Sequence, residues 1–204
     1  MSGLKQEIRQ KYERWAGWYD YLEWISEILG VRRLRRELIG QAKGKVLEIA
    51  VGTGKNLRYY PRTCKITAVD LSSAMLRIAR KRADRLGLDV TFLAMDGEAL
   101  TFRNQSFDTV VDSLSACTFP DPVAALREMS RVCRASGRIL LLEHGRSDRE
   151  GIGRWQDRRA DRHAKWLGCR WNREPLELVR RAGLRVLFAR RVFFGIFHTI
   201  EAAP

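Results

Sequence analysis

From residue 44 onward, the chain alternates short runs of aliphatic and β-branched residues with longer amphipathic segments. The short runs are bounded by glycine, proline or polar turn residues, which is typical of β-strands. We predict five such strands, at Lys45–Ala50, Lys65–Asp70, Val90–Ala94, Phe107–Ser113 and Gly137–His144. Because strands that alternate with helices build parallel sheets, the pattern indicates an α/β fold with a mostly parallel sheet.

The intervening helices carry start and stop signals. Ser72 can cap a helix that ends at Gly87, because a serine oxygen accepts an N–H at a helix N-terminus and glycine readily adopts the left-handed conformation that ends helices. Asp121 and Pro122 predict the start of a second helix that extends to about Val132, since proline is favoured at the first helical position.

The two flanking regions follow different patterns. Apolar residues recur every three or four positions over residues 4–39, which predicts two helices with a break near Ala16-Gly17 or Gly30. After the core we predict two helices, the first strongly charged, and two strands that pair antiparallel at the sheet edge. These elements are Glu150–Leu167, Glu174–Ala182, Leu184–Arg191 and Phe193–Ala202.

All of these elements fit into one domain. The chain has 204 residues, and single cores stop growing only near ~250–300 residues. We expect a helical cap over residues 1–43, a ligand-binding core over 44–145, and further helices and edge strands over 146–204.

The charge of the chain is strongly positive. It has 38 Lys and Arg against 24 Asp and Glu, a formal net charge of +14, which attracts nucleic acid, anionic lipid or an acidic ligand. No stretch approaches the ~18–20 apolar residues of a membrane-spanning helix. Met1–Arg9 lacks the apolar segment of a signal peptide. We therefore expect a cytoplasmic protein, soluble or peripheral to a membrane.

The cysteines do not indicate a metal site. Their positions lack C-x-x-C spacing: Cys64, Cys117, Cys133 and Cys169. His144, His163 and Cys169 also lack the spacing at which chelating residues recur. We expect buried thiols and no metal.

Small and acidic residues stand where the predicted strands end. They are Gly52 and Gly54, Asp70, Asp96-Gly97, and Ser113. In open α/β sheets, ligands bind at the carboxyl ends of the strands. Leu57 replaces the third glycine of a dinucleotide-binding turn, which disfavours a pyrophosphate. Because Asp70 can accept ribose hydroxyls and Asp96 an adenine amine, the set suits a nucleoside with an amino-acid tail.

These segments resemble the successive motifs of class I S-adenosylmethionine-dependent methyltransferases. The resemblance covers residues 40–145 strongly and is closest to the ubiquinone/menaquinone methyltransferase type and to bacterial phosphatidylethanolamine N-methyltransferases. It is carried by Val46–Gly54, Asp70–Leu76, Met95–Leu100, Phe107-Asp108 and Arg131–Leu140. The resemblance implies a Rossmann-like, seven-stranded, mostly parallel sheet with an antiparallel edge strand, N-terminal helices as a cap, and 146–204 on the substrate side.

The same resemblance implies a set of S-adenosylmethionine contacts. Those near the methionine part are Glu48, Ala50, Gly52, Thr53 and Gly54. Those near the ribose are Asp70, Leu71 and Met75, those near the adenine are Asp96, Gly97 and Glu98, and Ser113 is expected near the sulfonium. Ala50 departs from the family, which usually has glycine there, so its methyl group should narrow the turn.

Two residues are candidates for handling a proton during catalysis. Tyr19, before Asp20, resembles the tyrosine-aspartate pair with which relatives close a helix over the cofactor; the alternative is an aromatic residue on an amphipathic helix. His144 ends the fifth strand, where it can act as a base or contact substrate; the alternative is a structural, hydrogen-bonded histidine.

One helical face is rich in tryptophan and arginine: Trp155, Arg159, Arg162 and Trp166. The tryptophans could fill the core of a solvated helix. We instead interpret the face as a contact with an anionic membrane surface, because tryptophan suits the headgroup region and arginine binds phosphate. Arg32-Arg33 and Arg35-Arg36 add further basic residues to this predicted membrane contact.

The acceptor is predicted to be a small molecule or lipid. Phosphatidylethanolamine N-methylation is preferred because the basic, tryptophan-rich face suits phosphate and a lipid interface. C-methylation of a quinone precursor, or methylation of another small molecule, is the alternative. Nucleic acid is disfavoured, because Asp112–Ser115 stands where an N-P-P-Y-type motif would lie and no RNA-binding motif accompanies the basic residues. The oligomeric state is left open.

Overall fold

The computed structural model describes residues 3–22 and 30–204. Its seven strands are β1 (Lys45–Ile49), β2 (Lys65–Asp70), β3 (Val90–Ala94), β4 (Phe107–Ser113), β5 (Cys133–His144), β6 (Arg185–Val192) and β7 (Phe197–Ala203). Its helices, over the described residues, are α1 (Gly3–Leu22), α2 (Arg32–Ile39), α3 (Ser73–Leu86), α4 (Pro122–Val132), α5 (Glu150–Leu167) and α6 (Pro175–Arg181), with a short 3-10 turn at Leu57–Tyr59.

The strands form one sheet in the order β3-β2-β1-β4-β5-β7-β6. β1 to β5 pair in parallel, whereas β7 pairs antiparallel with both β5 and β6. The Rossmann-like, mostly parallel sheet is thus confirmed, as is the antiparallel pairing of the last two strands. The antiparallel strand itself lies one position in from the edge, and β6 forms the edge.

Three predicted boundaries differ from the structure. β7 begins at Phe197 and not at Phe193, because Phe193, Phe194 and Gly195 have φ of 51°, 57° and 71° and form a turn. β5 begins at Cys133, before the predicted Gly137. Of the two predicted break positions, Ala16-Gly17 lies inside α1, where Ala16 is buried against α3, whereas Gly30, with φ of 125°, lies just before α2.

Helices cover both faces of the sheet because alternate strand residues point to opposite sides. Val46 faces the core beneath α2 and α3, whereas Leu47 faces the core beneath α4 and α6. The predicted helix signals are confirmed. The Ser72 side chain accepts the N–H of Met75, Gly87 is left-handed, and Asp121 accepts the N–H of Ala124.

The order of the strands reverses between β1 and β4. The chain passes from β1 to β2 and β3 on one side and then crosses to β4 and β5 on the other. A crevice opens at such a switch point, at the carboxyl ends of the strands. In the part of the chain that the structure describes, every helix is too short or too polar to cross a membrane.

Candidate functional site

An open cavity occupies this switch point, the place where ligands bind in sheets of this type. Helix α1 contributes Lys5, Ile8 and Tyr12 to its wall. Of the twelve predicted cofactor contacts, eleven line the cavity: Glu48, Ala50, Gly52, Thr53, Asp70, Leu71, Met75, Asp96, Gly97, Glu98 and Ser113. The predicted residues therefore converge on one cavity, and their contact with the methyl donor stays a prediction.

The turn after β1 has an unusual backbone. Ala50, Gly52 and Gly54 all have positive φ, at 48°, 55° and 79°. A Cβ on Gly52 would meet only the Ala50 carbonyl oxygen, at 3.9 Å, so open space lies above it. Gly54 does not line the cavity; a Cβ there would come within 2.7 Å of Leu57 and 3.2 Å of Ala79. Gly54 thus allows the turn to pack closely against α3.

Asp70 ends β2 at the rim of the cavity. Its two carboxylate oxygens accept the N–H groups of Gly52 and Ser72, both at 2.8 Å. Burial raises the pKa of Asp70 to about 6, although these backbone hydrogen bonds oppose the rise. Asp70 therefore joins the turn after β1 to the start of α3, and its remaining lone pairs lie along the cavity.

Glu48 is buried inside β1 and also reaches the cavity. The chain itself supplies hydrogen-bond partners for the buried carboxylate: Asn56 Nδ2 donates to Oε1 at 2.8 Å, and Tyr60 Oη donates to Oε2 at 3.0 Å. Burial nevertheless raises the pKa of Glu48 to about 7. A carboxyl group with this pKa exchanges its proton near neutral pH.

Arg35 is a site residue that the sequence analysis assigned incorrectly. It was grouped with a membrane-facing basic cluster, yet it is only 4% exposed and lines the cavity. Its guanidinium donates to Asn56 Oδ1 at 2.8 Å and to Ser113 Oγ at 2.7 Å. The spacing could have shown this, because Arg35 shares the buried face of α2 with Leu38 and Ile39.

The adenine side of the predicted donor site is acidic, and α1 closes this part of the cavity. Asp96 and Glu98 follow β3, and Lys5 Nζ lies 2.6 Å from Asp96 Oδ2 and 2.7 Å from Glu98 Oε2. Asp96 Oδ1 also accepts the N–H of Glu98. The predicted adenine-side carboxylates are therefore paired with a lysine from the N-terminal helix.

A pair of buried carboxyl groups lies behind the cavity and was not predicted. Burial raises the pKa of Asp112 to about 6, and burial together with the nearby Asp112 raises the pKa of Glu143 well above its usual range. Asp112 Oδ2 and Glu143 Oε2 lack a donor among the described residues. The raised pKa values favour a protonated carboxyl group in this pair. Ser115, whose hydroxyl donates to Asp112, links the pair to the cavity wall.

The two predicted proton-handling residues are placed differently. The side chain of Tyr19 lies outside the described residues. His144 ends β5 as predicted but is not among the described residues that line the cavity; its Nε2 lies 3.4 Å from Cys169 Sγ. The Cys117 thiol, with the rings of His144 and His163, lowers the pKa of Cys169 to about 3. The same sulfur–sulfur contact and burial raise the pKa of Cys117.

The tryptophan- and arginine-rich face of α5 is exposed. Trp155 and Trp166 are 42% and 77% exposed, so they do not fill the core. The Arg159 guanidinium lies 4.9 Å from the centre of the Trp155 ring, a cation–π contact, and Arg162 is also exposed. The structure therefore presents all four predicted residues to the outside.

Comparisons with known proteins point to one family. Residues 47–141 match the family described as "Methyltransferase domain". A phosphatidylethanolamine N-methyltransferase of Cereibacter sphaeroides is 33% identical over 144 residues, which cover 70% of this chain and 70% of that protein. A mitochondrial methyltransferase of Saccharomyces cerevisiae, OMS1, is 30% identical over 94% of this chain and 45% of its own length.

One more curated protein and one solved structure are also similar to this chain. The ubiquinone/menaquinone biosynthesis C-methyltransferase UbiE of Bdellovibrio bacteriovorus is 33% identical over 68% of this chain and 62% of that protein. The chain thus spans less than two thirds of some curated relatives. A solved Thermotoga maritima S-adenosylmethionine-dependent methyltransferase, titled a possible histamine N-methyltransferase, has a TM-score of 0.70 at 23% identity and covers 96% of this chain and 99% of its own. At that identity the likeness shows the fold.

Proposed function

Because the chain belongs to the class I S-adenosylmethionine-dependent methyltransferases, we propose that it methylates a membrane-lipid acceptor, most directly the amine of phosphatidylethanolamine. The observation that carries the proposal is the cavity at the switch point, lined by eleven of the twelve residues expected to bind the methyl donor. Its location at the carboxyl ends of β1, β2 and β4 is that of ligand sites in this type of sheet.

The residues present fit the donor. The open space over Gly52 leaves room for a ligand against the backbone, and Asp70 and Asp96 supply acceptors for hydroxyl and amine groups. When bound, S-adenosylmethionine supplies an electrophilic methyl group on a positively charged sulfur. The chain would hold the methionine part at Glu48–Thr53, the ribose at Asp70 and the adenine beside Asp96.

The protein contributes mainly orientation and the exclusion of water. Holding a nucleophile in near-attack geometry is worth up to ~7–11 kcal/mol, and the side chains of Ile8 and Tyr12 in α1 cover the cavity. An amine acceptor must also lose a proton. We propose Tyr19 for this step, whereas we assign His144 to a separate cluster of thiols, because it contacts Cys169 and is not part of the described cavity wall.

The exposed face of α5 supports a lipid acceptor. Trp155 and Trp166 can enter the headgroup region while Arg159 and Arg162 bind lipid phosphates. Each basic residue near an anionic leaflet contributes ~1 kcal/mol, so this face is sufficient for reversible docking. We therefore propose peripheral association with an anionic membrane, and we take phosphatidylethanolamine as the acceptor because a relative at 33% identity carries that name.

C-methylation of a polyprenyl quinone precursor is the second candidate. It rests on the 33% identity to UbiE over 146 residues. A quinone precursor also lies in a membrane, so the exposed face of α5 is compatible with it, but the arginines of that face suit a phosphate-bearing headgroup better.

The test is to incubate the chain with methyl-labelled S-adenosylmethionine and three acceptors in separate reactions. These are vesicles of phosphatidylethanolamine and anionic phospholipid, vesicles that carry a demethylated polyprenyl quinone, and RNA. We expect label in N-methylated phosphatidylethanolamine, and at least about tenfold less of it with Asp70→Ala at a limiting concentration of the donor. Label confined to the quinone would favour the second candidate. Label in RNA, or in none of the three, would contradict the proposal.

A further inference from the structure

Three metal-ligating side chains meet away from the proposed donor cavity. Cys117 lies in the loop after β4, His144 ends β5, and Cys169 follows the last turn of α5. One ligand atom from each, two sulfurs and a ring nitrogen, all lie within 4.8 Å of one another. Cys117 is buried, and the other two are half-buried. None of the three lines the described cavity.

We propose that Cys117, His144 and Cys169 bind a zinc ion. Two thiolates and an imidazole are ligands that zinc prefers, at ~2.3 Å to sulfur and ~2.0–2.1 Å to nitrogen. In a tetrahedral site these bond lengths place sulfur and nitrogen about 3.6 Å apart and two sulfurs about 3.8 Å apart. The observed 3.4 Å between Cys169 Sγ and His144 Nε2 is close to the first of these distances. The three ligand atoms, all within 4.8 Å of one another, must therefore move by at most about 1 Å relative to one another to reach tetrahedral spacing.

The surrounding contacts hold the ligands in place. The Arg170 N–H donates to the Cys117 carbonyl at 2.9 Å, which fastens the loop after α5 to the loop after β4. His163 Nδ1 lies 2.8 Å from the Cys169 carbonyl oxygen, and its ring stacks on Trp171 with centroids 4.0 Å apart. Such outer contacts orient metal ligands and maintain affinity.

The cluster was not predicted from the sequence because its members come from two loops and the end of a strand. Local spacing identifies chelating pairs on one element, but here only the fold brings the residues together. Leu114, Ser115 and Thr118, on the same loop as Cys117, line the cavity. A zinc ion at this position would tie one wall of the cavity to the end of α5, and it would leave a fourth coordination position for water or another ligand.

The test measures metal binding by the full chain after reduction of its thiols. We expect about one zinc per chain in competition with a chromophoric chelator, and sulfur-to-metal charge-transfer absorption when cobalt(II) replaces zinc. Both wild-type measurements are independent of any variant. Cys117→Ser and Cys169→Ser should each weaken zinc binding by at least about 100-fold, because losing a ligand costs more than the ~10–100-fold lost with an outer contact.

Cys64→Ser is the matched control, since Cys64 is half-buried and its thiol donates to the Ala42 carbonyl, outside the cluster. It should bind zinc like the wild type. The proposal fails if the reduced wild-type chain binds neither zinc nor cobalt, or if Cys169→Ser keeps wild-type affinity. It also fails if mass spectrometry finds a Cys117–Cys169 disulfide and the reduced form binds no metal.

Discussion

The ammonium of Lys5 lies 2.6 Å from Oδ2 of Asp96. The pair joins the first turns of α1 to the loop after β3, and Glu98 accepts from the same ammonium. Partial burial lowers the pKa of Lys5, but the two carboxylates raise it by more, so the lysine is charged. An ion pair therefore holds the N-terminal helix over the acidic end of the cavity.

Removing this pair should loosen the helix over the cavity. We expect Lys5→Met to speed dissociation of S-adenosylmethionine up to about 5-fold, since a partly exposed pair contributes up to ~1 kcal/mol. Stopped-flow displacement measures the rate. Arg14→Met, which removes an exposed charge from the same helix, is the control. Equal rates in all three proteins would show that the pair does not retain the donor.

Asp70 is predicted to carry much of the donor affinity. Asp70→Ala should weaken binding of S-adenosylmethionine at least about tenfold, because a hydrogen bond to a charged acceptor is worth ~1.5–3 kcal/mol. Isothermal titration calorimetry measures the affinity. Asp70 also accepts two backbone N–H groups, so thermal unfolding must show that the variant is folded. The control is Asp89→Ala, which removes an exposed carboxylate near β3 and should bind S-adenosylmethionine with wild-type affinity. If a folded Asp70→Ala variant also bound the donor with wild-type affinity, Asp70 would not be a donor contact.

Glu48 should make stability depend on pH. Its pKa is about 7 in the folded chain against 4.5 for an ordinary glutamate, so between these values the unfolded chain loses a proton that the folded chain keeps. Its contribution is complete below pH ~4.5 and is lost as pH rises through ~7. We expect the wild type to lose up to about 3 kcal/mol more stability than Glu48→Gln between pH 5 and pH 8. Urea unfolding at both pH values measures this, and parallel pH profiles would contradict it.

Ala50 is expected to be strained. At φ 48°, a residue with a Cβ carries a penalty of ~1–2 kcal/mol, whereas glycine adds ~0.5–1 kcal/mol of unfolded-state entropy. Ala50→Gly should therefore raise the free energy of unfolding by up to about 1 kcal/mol, measured by urea denaturation. Ala164→Gly, inside α5, should lower it by a similar amount. A destabilised Ala50→Gly would show that the methyl group contributes more through packing than it costs in strain.

The exposed face of α5 can be tested separately from the donor site. Arg159→Glu with Arg162→Glu should reduce pelleting with anionic vesicles by at least about tenfold, since two charge reversals remove more than ~2 kcal/mol of attraction. Donor affinity should not change. Lys81→Glu with Arg85→Glu, an equal change on exposed positions of α3, is the matched control. Equal pelleting of both double variants would contradict membrane contact through α5.

Two kinds of feature could be predicted from the sequence: helix starts, which depend on local pattern, and cavity residues, which follow the ends of strands. Ser72 and Asp121 marked helix starts because capping is local chemistry, and Asp70 and Asp96 located the cavity because parallel strands end at one edge. Arg35 was assigned to the wrong surface, although its spacing from Leu38 and Ile39 places it on their buried face. The Asp112–Glu143 pair was missed, since its role depends on burial between elements. The turn at Phe193–Phe194 was taken for a strand, because aromatic residues favour strands and the left-handed backbone is set by the hairpin.

The position of β7 between β5 and β6 has a consequence for biosynthesis. During synthesis, β6 is made before β7, the strand that joins β6 to the rest of the sheet. Until β7 has been made, the edge of β5 is therefore unpaired. Such an edge offers a row of free backbone groups that can recruit another chain. The sheet is complete only once residues 197–203 pair with both of their neighbouring strands.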